Sequence, residues 1–75
     1  MRLGEAISVV EKYLHEATYD YVIINVHSNH KIFRSWDVDV KEFNPDYSYN
    51  YYVLTIYENG ELMNSNGEVL NRDNH

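Results

Sequence analysis

His27 and His30 stand in a His-Ser-Asn-His run, and two imidazoles with a carboxylate such as Asp20 make a donor set that divalent metals accept. The run reads as a turn, which does not fix two rings on one side as a helical i, i+4 pair does, and no third ligand stands at a characteristic spacing. The two are read as ordinary turn histidines, and neither a metal nor another cofactor is expected. His15, near the end of a helical pattern, suits the negative end of a helix dipole. Ser28 beside His27 is adjacency rather than a triad, and Ser35, Ser48 and Ser65 lie in no strand-turn-helix context. Gly4, Gly60 and Gly67 are isolated and build no phosphate cradle. A chain without these arrangements is read as a non-enzyme.

Carboxylates are the one group in surplus. Residues 1–35 balance four bases with four acids, whereas residues 36–75 set Lys41 and Arg72 against eight acids, so the net charge of −6 belongs to the second half. Asp37 and Asp39 alternate along a strand pattern, which puts them on one face roughly 7 Å apart. Glu42, Asp46, Glu58, Glu61 and Glu68 are candidates to extend that row. Phosphate contacts need a basic surface, so direct binding to nucleic acid or an anionic membrane is not expected, and a basic protein partner is favoured.

The elements that must position these groups follow from apolar periodicity. Leu3, Ala6, Ile7, Val10, Leu14 and Ala17 recur at intervals of three and four, which predicts an amphipathic helix over roughly residues 2–17. The β-branched and aromatic run Tyr19–Val26 predicts a strand ending at Ser28-Asn29-His30, apolar on both faces and therefore expected at the centre of a sheet. Trp36, Val38 and Val40 alternate with the two aspartates, which predicts a half-buried strand with Trp36 in the core. Asn44-Pro45 marks a turn, and a further strand is expected from about Tyr49 to Glu58. Asn59-Gly60 and Asn66-Gly67 are hairpin signals, with short strands expected at Glu61–Asn64 and Glu68–Leu70. The fold class is thus α+β: one N-terminal helix on one face of a 3–5 stranded antiparallel sheet, in the order α-β-β-β with a short C-terminal hairpin.

One helix covers one face of such a sheet. If Tyr52, Leu54 and Ile56 point toward it, then Tyr49, Tyr51, Val53, Thr55 and Tyr57 point away, with Tyr21, Ile23, Asp37 and Asp39 expected beside them. The result is a tyrosine-rich surface edged with carboxylates, and contiguous patches of this kind mark partner interfaces or a symmetric homodimer formed through that outer face. The residues expected to bind a partner are Asp37, Asp39, Glu42, Asp46, Glu58, Glu61, Glu68, Tyr49, Tyr51 and Tyr57.

With its short length, the acidic segment from Asp37 to Asp73 and no cysteine, the chain resembles the small acidic proteins encoded by bacteriophages that block host DNA-binding proteins by imitating DNA. The resemblance implies an inhibitor whose carboxylates stand in for backbone phosphates and whose target is a basic nucleoid protein, polymerase or nuclease. An immunity- or antitoxin-like inhibitor of a basic toxin, and a homo-oligomeric structural module, are the other readings.

Seventy-five residues make one domain with a modest core. With 44% hydrophobic residues, the composition is too apolar for a disordered acidic tail. No disulfide framework is available, no apolar run approaches the roughly 18 residues of a membrane span, and the N-terminus has no signal-peptide pattern, so a cytoplasmic location is expected. Residues 71–75 are expected to fray.

Overall fold

The helical pattern forms α1, Leu3–Ala17, in the computed structural model, which describes residues 2–72. Ala6, Val10 and Leu14, four residues apart, are fully buried, and Val9 and Tyr13 pack beside them. The buried stripe is shorter than the sequence suggests, because Leu3 and Ala17 lie at the helix ends and are exposed, and Ile7 is only partly buried. Thr18 closes the last turn, its backbone N–H and its hydroxyl both donating to the Leu14 carbonyl.

Four strands follow: β1 Asp20–Asn29, β2 Ser35–Phe43, β3 Tyr49–Ile56 and β4 Leu62–Met63. They form an open antiparallel sheet in chain order, β1-β2-β3-β4, with α1 packed on one face. This is the α+β arrangement the periodicity predicts. Val38, Val40, Leu54, Ile56 and Leu62 meet Ala6, Val10 and Leu14 in the core, and Trp36 sits half-buried at its margin rather than at its centre.

Two expectations about β1 are corrected. It is an edge strand, although both its faces are apolar. Its alternation also reverses midway: Ile23 pairs with Val40 and Asn25 with Asp39, leaving Ile24 as the extra residue of a β-bulge. Tyr21, Ile23 and Val26 therefore turn toward the helix, while Val22 and Ile24 are exposed. Tyr21 and Ile23 do not belong to the open face.

Three turns of one design join the later segments. In each, the first residue's N–H donates to the carbonyl four residues on, and the fourth residue's N–H donates back to the first carbonyl: Asn44 with Ser48 and Tyr47, Tyr57 with Glu61 and Gly60, Asn64 with Glu68 and Gly67. The fourth residue must be left-handed, and φ is 70° at Tyr47, 90° at Gly60 and 81° at Gly67. The second and third turns are the two Asn-Gly signals, and they bring Val69 into a bridge with Met63. Asn71 is anchored rather than frayed: its side chain accepts from the Leu62 N–H at 2.9 Å and donates to the Gly60 carbonyl at 2.8 Å. Arg72 is exposed and 3.9 Å from Glu61, and the remainder of the predicted frayed tail, residues 73–75, lies outside the described residues.

Candidate protein-binding face

The face of the sheet turned away from α1 is built in rows set by the strand register. From one end to the other these are His27, Asp37 and Thr55; Asn25, Asp39 and Val53; Val22, Lys41 and Tyr51; Asp20, Phe43 and Tyr49. The β2–β3 turn carrying Tyr47 continues beyond the last row.

The first two rows are polar. The Asp37 carboxylate accepts from the Thr55 hydroxyl at 2.8 Å and from the Asn29 side-chain amide at 3.1 Å, so it is tied into a cross-strand network. Asp39 lies 3.9 Å from the His27 imidazole, with 35% of its side chain exposed. The last two rows are aromatic. Lys41 lays its ammonium 4.4 Å from the centroid of the Tyr49 ring, with Phe43 and Tyr51 at 5.2 and 5.4 Å. Tyr49 and Tyr51 meet edge to face at 5.4 Å. Both tyrosines are more than half exposed, and Val22, Ile24 and Val53 are exposed beside them. Three rings sharing one cation present a fixed, half-wet apolar surface.

Tyr47 is the feature that sequence reasoning missed. A bulky side chain at positive φ is uncommon, and the left-handed conformation costs roughly 1–2 kcal/mol for a residue with a Cβ. Its two sister turns place glycine there. Tyr47 is 96% exposed, so packing against the described residues returns almost nothing for that cost.

The other expected carboxylates do not extend the Asp37–Asp39 row. Glu42 alternates to the helix side, where its carboxylate accepts from the Tyr52 hydroxyl at 3.0 Å. Asp46 sits in the first turn and accepts from Ser48, whose hydroxyl holds it below the usual carboxylate range. Glu58, in the second turn, is bonded to the Arg34 guanidinium at 2.8 Å, which lowers it in the same way. Glu61 accepts from Asn59 at 2.7 Å and stands 3.9 Å from Arg72, and Glu68 accepts from Asn64 at 3.3 Å. Tyr57 begins the second turn, at the opposite end of β3 from Tyr49 and Tyr51, half-buried and outside the aromatic patch. Asp37, Asp39, Tyr49 and Tyr51 thus share the rows of one face, Glu42 lies on the other face, and Asp46, Glu58, Glu61, Glu68 and Tyr57 belong to the turns outside those rows. Among the described residues no three metal-ligating side chains converge.

The Tyr52–Glu42 bond gives a pH expectation. Burial first, then the Glu42 carboxylate, pushes the Tyr52 phenol well above its ordinary value of 10.0. A folded-state pKa raised above the unfolded one contributes stability that is complete below pH 10 and is lost as pH climbs through the alkaline range. At neutral pH, Tyr52→Phe is expected to cost about 1 kcal/mol, the net worth of a hydrogen bond. In urea titrations that gap closes on going from neutral to strongly alkaline solution; a constant gap would mean that the phenol titrates alike in both states.

Comparison of the chain with protein-family models, with curated proteins and with solved structures finds no match in any of the three.

Proposed function

We propose that this domain is a non-catalytic protein-binding module that docks through the open face of its sheet, Tyr47, Tyr49 and Tyr51 anchoring the partner and Asp39 steering it. The observation that carries the reading is Tyr47. An aromatic 96% exposed in a left-handed turn position costs stability and gains almost no packing in return among the described residues, and strain of that kind collects where function needs it. Tyrosine is also the residue type that supplies large contact area at low entropic cost in interfaces.

The charge of the second half favours a basic partner. A DNA-imitating inhibitor is the form of this reading that the resemblance implies, and its support is the pair Asp37 and Asp39, spaced about 6.8 Å along β2, close to two steps of a DNA strand at roughly 3.4 Å each. Binding by shape, through the aromatic rows with one or two carboxylates beside them, has the greater support, because the remaining acids are dispersed and bonded locally.

The test is affinity capture with the immobilised domain from a lysate of the cells in which the chain is made, at low and high salt and with excess DNA. Shape-specific docking predicts a retained protein that survives both additions; loss on adding DNA would assign the imitation of DNA instead. Asp39→Lys is the clean charge variant, since Asp37 is tied to Thr55 and Asn29 and its reversal would disturb the fold. Asp39→Lys is expected to weaken capture of a basic partner by about tenfold, or about 1.4 kcal/mol, with an unchanged melting temperature; equal retention would remove Asp39 from the interface.

A further inference from the structure

We infer that β1 pairs with β1 of a second copy, antiparallel, joining two sheets edge to edge into one eight-stranded sheet. The two edges of the sheet are unlike. β4 is two residues long and is covered: Leu70 N–H donates to the Leu62 carbonyl at 2.7 Å, Asn71 binds the Leu62 N–H, and Val69 bridges Met63. β1 is ten residues long, and among the described residues no strand pairs with its outer edge. Long edges are ordinarily blunted by lysine, by proline or by a bulge, and of these Asp20–Asn29 has only the bulge at Ile24.

The bulge determines the register. In a regular strand, a twofold axis through the edge brings like faces together only for residues an even number apart, because side chains alternate strictly. The extra residue at Ile24 reverses the alternation, so the outward set becomes Asp20, Val22, Ile24, Asn25, His27 and Asn29. With the axis between Ile24 and Asn25, each face meets its like along the whole strand. Asp20 lies opposite Asn29 of the second copy, Val22 opposite His27 and Ile24 opposite Asn25 on the open side, and Tyr21 lies opposite Ser28 and Ile23 opposite Val26 on the helix side. Moving the axis onto a residue sets outward side chains against inward ones across the bulge.

Charge permits the joint despite the net −6 of each chain. Asp20 is the only acid in β1, and the two copies of it fall about 30 Å apart at opposite ends of the joint. Each lies beside the β1–β2 loop of the other copy, which carries Lys31. Apolar side chains on both faces, unexplained for an edge strand, are what a strand needs at the centre of a sheet. The dimer leaves both open faces free and sets their Val22, Lys41 and Tyr51 rows in one plane, and it stands whether or not a separate partner docks there.

Sedimentation equilibrium of the full chain tests the association, with a mass twice 8.9 kDa expected. Register is tested by the double variant Val22→Cys with His27→Cys. Both side chains are exposed, the chain has no other cysteine, and within one strand the two positions lie roughly 16 Å apart, too far for a disulfide. Mild oxidation is expected to convert the double variant to a covalent dimer at least tenfold faster than Val22→Cys alone. A wild-type mass of 8.9 kDa at all concentrations, or equal cross-linking of the single and double variants, overturns the inference.

Discussion

Leu54→Ala is expected to remove half or more of the domain's stability. Leu54 is 1% exposed on the inner face of β3, in line with Val38 of β2 and among Val10, Leu14 and Ile56. Truncating a leucine in such a site costs about 2–5 kcal/mol, because transfer energy is lost and a rigid framework closes only part of the cavity. Stability of roughly 0.05–0.15 kcal/mol per residue leaves a chain of this length little reserve. The core is a single layer between one helix and one sheet, with no disulfide to hold the ends together. Urea unfolding checks this: the midpoint is expected to fall to half its value or lower with an unchanged slope. A shift worth less than about 1 kcal/mol would place Leu54 outside the cooperative core.

Tyr47→Gly is expected to do the reverse to stability and to damage binding. Glycine adopts positive φ freely, so the turn would join its two sisters in unstrained geometry and the domain would gain about 1 kcal/mol. For a domain of this size that corresponds to a melting temperature higher by roughly 4–8 °C. If Tyr47 is an anchor, its loss removes about 2 kcal/mol of binding, a weakening of roughly 30-fold. A gain in stability with no loss of binding would make Tyr47 a tolerated imperfection of the turn. A loss of both would mean that the ring makes contacts within the fold.

The helix, the alternation of β2 and β3 and the two Asn-Gly turns were legible because each rests on a local pattern. Apolar spacing of three and four, apolar spacing of two, and residues tolerant of positive φ are written in short windows. The sides of β1 were not legible. A bulge is fixed by which residues of β2 pair with it, and the unbroken apolar run from Tyr21 to Ile24 contains no polar residue to show where alternation reverses. Its edge position was hidden for the same reason, since a strand apolar on both faces reads as central. Glu42 could have been placed: it continues the series Trp36, Val38, Val40 on the helix side. Its charge argued for solvent, and the Tyr52 hydroxyl that satisfies it becomes a neighbour only through the β2–β3 register. Tyr47 gave no signal because the usual mark of its turn position, a glycine, is what it replaces. Six of the ten expected site residues therefore fall outside those rows, while Asp37, Asp39, Tyr49 and Tyr51 came together because strict alternation along two neighbouring strands carries over directly to a shared face.

Under the proposed function, the partner docks on the open face of the sheet. Amide chemical-shift mapping of the isotopically labelled domain, titrated with the protein it retains, tests that most directly. The expected result is perturbation concentrated at Asp39, Lys41, Phe43, Tyr47, Tyr49 and Tyr51, with the exposed helix residues Glu11, Lys12 and His15 unchanged. Perturbation confined to α1, or a lysate from which the domain retains nothing, would contradict it.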